Sequence, residues 1–378
     1  MIKKPQVKIA IVVTSVLQIK FFMIPHILAL NDLYDITLIV KNDHPEILAD
    51  MQLPIRIVEV NVERKIHFLN DILALFTLFS IFKKGGFDLV HTLTPKAGLL
   101  GGVAARLARV RIRIHTFQGE VWVNKKGIYR LLLKSLDKLV ASLATNLMVV
   151  SYSERDFLIK ERVIIEGQSD VLANGSISGV DLKRFKFNQA IRDDLRYKHS
   201  IPNDAIVFIY IGRLNLEKGI PELIKSFQQL AIENLNVRLF VVGPDEDNIL
   251  NEFANRSRQV IFCPYATNPE EYLMASDVLV LPSHREGFGV VIIEAAAVGV
   301  PSIGSNIYGI QDAIEDGVTG LLFESKNIIS LYAAMKLLAE DQIKRLDMGV
   351  KAQHRVDMLF DQQKVVSAMV KYYKKLLD

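Results

Sequence analysis

Two carboxylates, Glu286 and Glu294, stand with seven residues between them in the stretch H-R-E-G-F-G-V-V-I-I-E, which runs from His284 to Glu294. Gly287 and Gly289 let backbone N–H groups approach a ligand closely. The apolar run Val290–Val298 reads as a buried helix whose positive end faces the same spot. An anion, most simply a diphosphate, fits there. Carboxylates accept hydrogen bonds, and sugar and ribose hydroxyls donate them, so two carboxylates beside an anion-binding helix end suit a nucleotide sugar. The spacing equally fits a helix-capping Glu286 and a Glu294 paired inside the fold. A lone carboxylate among Val291, Ile292, Ile293 and three alanines needs a partner in either case.

A second cluster, G-R-L-N-L-E-K-G over 212–219, brings Arg213 and Lys218. A forked guanidinium and a point ammonium can neutralise a diphosphate and stabilise it as a leaving group. Solvated loop cations are the alternative.

Both clusters need strands to place them. Val278–Leu281, a short continuous apolar run ended by Pro282, reads as a strand buried on both faces of a parallel sheet. Strand, loop and helix in that order put the loop at the carboxyl edge, where open α/β sheets bind ligands. Ile206–Ile211 reads as the strand before Gly212, so Arg213 and Lys218 belong to the same edge. Val237–Val242 ends at Gly243 and Pro244, Val260–Phe262 leads to Pro264 and Tyr265, and Pro301–Ile303 and Gly320–Phe323 add the last strands.

The first half alternates in the same way. Strands are expected at Val7–Thr14, Ile36–Val40, Ile55–Val60, Asp88–His91, Ile112–Thr116, Leu147–Ser151 and Val171–Leu172, with apolar helical segments between them. Such alternation marks a parallel, doubly wound sheet. The closing helix, Gln362–Leu377, carries an apolar stripe at Val365, Met369, Tyr372 and Leu376.

The E-G-F-G-V-V-I-I-E segment resembles the E-x7-E signature of retaining GT-B glycosyltransferases of the GT4 type. H-T-F-Q-G-E-V-W, V-V-S-Y-S-E-R-D-F-L-I and N-G-S-I-S-G-V-D-L-K-R-F are similar to stretches of bacterial GT4 enzymes that build surface polysaccharides. The resemblance implies an α/β chain of two Rossmann-like domains facing across a cleft: an acceptor domain over 1–187, a nucleotide-sugar domain over 188–360, and a helix over 361–378 returning to the first. It gives Glu286 to the donor sugar, Glu294 to the ribose, and Arg213 and Lys218 to the diphosphate. Uracil falls near Pro264 and Tyr265, and Gly212, Gly243, Gly287, Phe288, Gly289 and Val290 complete the donor set. The donor phosphate helps to deprotonate the acceptor in such enzymes, so no protein nucleophile is required.

The acceptor side departs from the pattern. Many relatives have two glycines after the first strand, where this chain reads T-S-V-L-Q-I-K-F-F with Ser15, and a T-x-H-G motif where Thr116-Phe117-Gln118-Gly119 puts Gln118 in place of the His. His115, three residues early, either reaches the cleft or is a hydrogen-bonded core histidine. No D-x-D metal motif stands at a strand end, so no metal or other cofactor is expected, with Arg213 and Lys218 supplying the positive charge.

Composition sets the outer limits. Half of the 378 residues are hydrophobic and 23% are charged, which describes a folded chain of about two domains. The net charge of +4, from 46 basic and 42 acidic side chains, gives little support for nucleic-acid binding. A single cysteine, Cys263, excludes an internal disulfide and favours the cytosolic side. The start could pass for a signal peptide, but Lys8 breaks the apolar run and a first buried strand is the better reading. No stretch approaches the roughly 18 apolar residues that span a bilayer.

Phe68–Lys84 is strongly apolar, ends in two lysines, and is followed by Arg106, Arg109, Arg111 and Arg113. That pattern fits a core helix with a solvated basic turn, or a face resting on anionic lipid. The resemblance favours the second, with a sugar moved from a UDP-sugar, such as UDP-N-acetylgalactosamine, to an undecaprenyl diphosphate-linked sugar on the cytoplasmic face of a bacterial inner membrane. A nucleotide-sugar 2-epimerase of the same architecture, and a catalytically silent sugar-nucleotide-binding protein, are the competing functions.

Overall fold

The computed structural model describes residues 7–63, 67–233, 236–249, 259–264 and 266–378. It divides into two compact units, Met1–Ser178 with Gln363–Asp378, and Gly179–Gln362. The boundary falls at 178 and not near 187. Gly179 lies against the backbone of Phe360 and Gln362, and Val180 bridges to Asp361, so the segment after Ser178 is held by the second unit.

The first unit is built on seven parallel strands: β1 (Lys8–Val13), β2 (Asp35–Val40), β3 (Arg56–Glu59), β4 (Leu89–Thr92), β5 (Ile112–Phe117), β6 (Asn146–Val149) and β7 (Ser169–Val171). Their order is β3-β2-β1-β4-β5-β6-β7, so the chain reverses direction between β1 and β4. β1 and β2 are exposed only at their first residues, and β4 is buried throughout, as a sheet covered on both faces requires.

The helices between strands have local causes. Pro95 starts Pro95–Leu107 and the Thr94 hydroxyl accepts from the Ala97 N–H; Ser151 caps Tyr152–Lys160 through the Glu154 N–H. Gly86, at a φ of 62°, ends Phe68–Gly85. Leu78 and Phe82 of that helix bury against Val12 and Val90 of the sheet.

The helix expected over 21–30 is a composite: one turn at Val16–Gln18, a π-turn at Ile19–Met23, and Ile24–Asn31 with Pro25 in its first turn. The proline lacks the N–H that a continuous ladder would use.

The second unit carries β8 (Ile206–Ile211), β9 (Val237–Val242), β10 (Val260–Cys263), β11 (Val278–Leu281), β12 (Ser302–Ser305) and β13 (Gly320–Phe323), all parallel, in the order β10-β9-β8-β11-β12-β13. Its reversal lies between β8 and β11. A clamp sits at the opposite edge, where Asp277 takes Arg192 and Arg196, each at 2.7 Å, and the Val207 N–H at 2.7 Å. This ties the helix Gln189–Lys198 to the starts of β8 and β11.

The closing helix, Gln362–Leu377, buries Tyr373 in the first unit, where its hydroxyl meets His91 Nδ1 at 2.5 Å. His91 Nε2 meets the Thr116 hydroxyl at 2.7 Å, so both ring nitrogens of a fully buried histidine are satisfied. Burial pushes the His91 imidazole down to about 3, and the neutral ring fits that chain of hydrogen bonds.

Tyr373→Phe orphans one buried ring nitrogen, which costs about 1–3 kcal/mol. Trp122, the one tryptophan, lies in the core of the same unit. Urea unfolding followed by Trp122 fluorescence should show that loss, and an unchanged midpoint would contradict the network.

Candidate active site

At the reversal of the second sheet, the loops after β8 and β11 run side by side. Glycine makes this possible at two points. Gly219, at a φ of 69°, lies so close to the Pro282 carbonyl that a Cβ would stand 2.1 Å from its oxygen. Gly309, at 81°, approaches the carbonyls of Glu286 and Gly287, where a Cβ would come within 2.7 Å of either oxygen. The His284 N–H then donates to the Glu217 carbonyl at 2.9 Å, and Arg285 pairs with Glu217 at 3.0 Å.

This lacing brings Lys218 onto Glu286. The Asn215 side chain caps the short turn Leu216–Lys218 through the Lys218 N–H at 3.1 Å, and the ammonium reaches Glu286 Oε1. The Ser283 hydroxyl donates to the same oxygen at 3.0 Å. Oε2 of Glu286 has no hydrogen bond among the described residues. Arg213 pairs with Glu246 at 2.9 Å, and its side chain is 44% exposed. Asn215 donates to the same Glu246 carboxylate at 2.9 Å.

Gly212 and Gly243 stand at neighbouring strand ends, where the Gly212 N–H donates to Val242 and the Gly243 N–H to Cys263, each at 2.9 Å. Pro264 is exposed just past β10, and Tyr265 lies outside the described residues. The helix Val290–Ala297 starts at Gly289, with Val290 half-buried in its first turn. Phe288 is buried, and its ring packs on Phe360, 5.3 Å between centroids.

Glu294 has no hydrogen-bond partner among the described residues, so the internal pairing expected of it is absent there. Arg184, whose charge acts on Glu294, is ion-paired to Glu270 at 2.7 Å. Burial pushes the Glu294 carboxyl up to about 7, with Arg184 pulling down and Glu270 pushing up.

In the first unit, Gln118 follows β5 and its amide is engaged at both ends. It donates to the Leu93 carbonyl at 2.9 Å and accepts from Gln18 at 3.1 Å, tying together the loops after β1, β4 and β5. The Gly119 N–H donates to Glu154. Ser15 is buried at the start of its helical turn. Of the two readings left open for His115, the structure has the core residue: it lies inside β5, bonds the Thr92 hydroxyl at 2.9 Å, and stacks edge-on to Phe117. Burial holds its imidazole down at about 3. No group of three or more His, Cys, Asp or Glu among the described residues is placed to hold a metal ion.

Lys218 and Glu286 thus stand paired at the sheet reversal, the position at which open α/β sheets bind ligands. The family model for glycosyl transferases group 1 matches residues 191–355, and that for glycosyltransferase family 4 matches 27–177. A capsular polysaccharide biosynthesis glycosyltransferase, CapM of Staphylococcus aureus, is 30% identical over 84% of each chain. This chain belongs to the family 4 glycosyltransferases.

Two further relatives align along most of the transferase. An Escherichia coli UDP-Gal:α-D-GlcNAc-diphosphoundecaprenol α-1,3-galactosyltransferase is 31% identical, covering 83% of this chain and 82% of that one. A Campylobacter jejuni N,N'-diacetylbacillosaminyl-diphospho-undecaprenol α-1,3-N-acetylgalactosaminyltransferase is 26% identical, covering 94% and 95%. Among solved structures, Anabaena HepE in complex with UDP and glucose superposes with a TM-score of 0.80 at 18% identity, covering 98% of this chain and all of that one. The transferase has the GT-B fold.

Sequence reasoning passed over Ser283, Gly309, Glu246 and Arg184. The last three lie far along the chain from their partners and have no local signature; Ser283, three residues before Glu286, has the spacing of a loop-internal hydrogen bond and was readable.

The raised Glu294 carboxyl sets a sign. The folded chain keeps a proton that the unfolded chain releases near 4.5, so stability falls as pH rises from 4.5 to about 7. Glu294→Gln should therefore stabilise the transferase by roughly 1–3 kcal/mol at pH 8 and by little at pH 4.5, read by urea unfolding. An equal effect at both pH values would contradict the assignment.

Proposed function

We propose that this transferase moves a sugar from a UDP-sugar to a hydroxyl of an undecaprenyl diphosphate-linked sugar, with retention at the anomeric carbon. The observation that carries the reading is the Lys218–Glu286 pair at the β8/β11 reversal, with Glu294 lacking a hydrogen-bond partner among the described residues. In this reading Glu286 accepts hydrogen bonds from the donor sugar and Glu294 from the ribose. Lys218 bridges Glu286 and the diphosphate, and Arg213 exchanges Glu246 for phosphate oxygens.

The bond between the anomeric carbon and the β-phosphate oxygen breaks, and the acceptor oxygen attacks from the same face. Its proton passes to the departing phosphate, so UDP leaves and no protein nucleophile takes part. Arg213 and Lys218 supply the charge that a divalent ion supplies in other transferases, so the reaction proceeds without metal.

The choice of sugar is a finer proposal. The Campylobacter relative is named for N-acetylgalactosamine and the Escherichia relative for galactose, both on undecaprenyl diphosphate-linked acceptors. N-acetylgalactosamine is the proposed donor sugar, since the N-acetylgalactosaminyltransferase aligns over the larger share of the chain. Action on such lipids places the transferase at a membrane surface; no helix among the described residues is long and apolar enough to cross one.

The test is incubation with UDP-N-acetylgalactosamine, with and without an undecaprenyl diphosphate-linked sugar, in EDTA. UDP and an extended lipid product should form only with acceptor, and Glu286→Ala should lower kcat/KM by about 10²-fold or more. Interconversion of the UDP-sugar without acceptor would establish the 2-epimerase instead. Unchanged turnover in Glu286→Ala would remove the site assignment, and activity restored only by Mg²⁺ would remove metal independence.

A further inference from the structure

The loop that follows β5, residues 118–122, is held by a carboxyl group that the donor site does not use. Ser151 and Glu154 have the S-x-x-E spacing of a capping box, in which the glutamate turns back to the start of its own helix. Glu154 reaches further. Its carboxyl is fully buried, accepts from the Val150 N–H at 3.3 Å, and crosses to the neighbouring loop to accept from the Gly119 N–H. There it also shares a hydrogen bond with the carboxyl of Glu120, itself 2% exposed. Two carboxyl groups bond to each other only while one of them keeps a proton. The loop after β5 is therefore tied to the helix after β6 by a proton.

The charges around this tie leave it sensitive to pH. Among the described residues, Glu120 is the charge that acts on Glu154. Burial first, then the Glu120 charge, pushes the Glu154 carboxyl well above the usual carboxylate range, against the pull of the two N–H donors. Lys125 and Lys126 stand further along the loop, half-buried and exposed. From the helix Gly127–Leu143, Asp137 accepts from the Trp122 indole N–H at 2.7 Å, and burial pushes its carboxyl up to about 6. Arg130 and Lys134 lie over the Trp122 ring and are paired with Glu161. Trp122 in turn stacks on Phe157 of the helix that carries Glu154, 5.5 Å between ring centroids. A group held protonated by the fold keeps its contacts at low pH and loses them as pH rises.

We propose that Glu154 is a positioning residue for transfer: through the proton it shares with Glu120 it fixes residues 118–122 for the acceptor, and loss of that proton releases them. The inference rests on the reading that the first unit takes the acceptor, and deepens it by naming the group that shapes that side. The loop stands at the carboxyl edge of its sheet, where open α/β sheets take ligands, and through Gln118 it gathers the loops after β1 and β4. A carboxylate that only held the loop in place would be served by its N–H donors and stay ionised. A second acid beside it, both sealed from water, makes the tie conditional on a proton.

The experiment compares the full chain with Glu154→Gln, whose amide donates to Glu120 and accepts from Gly119 at any pH. Amide hydrogen exchange over 118–122, corrected for its intrinsic pH dependence, should quicken by about tenfold between pH 6 and pH 9 in the native chain and stay level in the variant. The KM for the lipid-linked acceptor should follow it, rising about tenfold with pH in the native chain and by less than about twofold in the variant, while the KM for the UDP-sugar holds in both. Titration of Asp137 is common to both chains, so the difference between them belongs to Glu154. Should Glu154→Gln fold poorly, Glu120→Gln supplies the same amide from the other side and should give the same level profile. Exchange in the native chain that ignores pH, an equal response in native and variant chains, or an acceptor KM that stays level while the loop is released would overturn the proposal. Loop release with pH in a chain that extends no lipid-linked sugar would leave the Glu120–Glu154 tie standing and remove the acceptor reading.

Discussion

The second unit depends on two places where backbone meets backbone without a side chain between. Gly219 lies on the Pro282 carbonyl, and Gly309 on those of Glu286 and Gly287, so the loops after β8, β11 and β12 are laced at one sheet edge. A Cβ at either glycine would drive a loop away by more than the length of a hydrogen bond can absorb. Lys218 and Glu286, 68 residues apart in sequence, meet because of that lacing. Two long side chains in contact at a half-buried edge are worth little as a surface ion pair. In the proposed reading, their value lies in holding a carboxylate and an ammonium in fixed relation before a ligand arrives, so that little reorganisation is needed on binding.

Glu294 shows the opposite strategy. The helix that carries it is otherwise apolar, and the nearby Arg184 is committed to Glu270. Desolvation therefore pushes the Glu294 carboxyl up, to about 7, although the side chain is only half-buried, and the stability this removes is lost as pH rises from 4.5 to about 7. In the proposed reading, a ligand supplies the hydrogen bonds that Glu294 lacks among the described residues. Hydroxyl donors would provide them, and that links an expensive feature of the fold to the ligand class proposed for the transferase.

Much of this was legible in the sequence, for physical reasons that differ by element. Val278–Leu281 and Val290–Ala297 could be placed because a strand covered on both faces and a helix in the core are each a continuous apolar run, told apart by length and by Pro282 and Gly299. The parallel alternation fixed the sheet edge, and with it the neighbourhood of Arg213, Lys218 and Glu286. What escaped depends on distant partners. The bridge of Val180 to Asp361 moves the unit boundary away from 187, and nothing near either residue announces it. The tie of Gln118 to Gln18, 100 residues earlier, which donates to its carbonyl oxygen, has no local sequence signature either. His115 was undecided because a strand residue at a sheet edge can face either a ligand or a covering helix; Thr92 and Phe117 settle it as core.

The central claim, that the β8/β11 reversal holds a UDP-sugar between Arg213, Lys218, Glu286 and Glu294, is tested most directly by a crystal structure of the transferase with UDP-N-acetylgalactosamine. The account predicts the diphosphate within hydrogen-bond distance of Lys218 and Arg213, sugar hydroxyls on Glu286, and both ribose hydroxyls on Glu294. Nucleotide density elsewhere, or a bound donor that leaves Glu294 without a hydrogen bond, would contradict it.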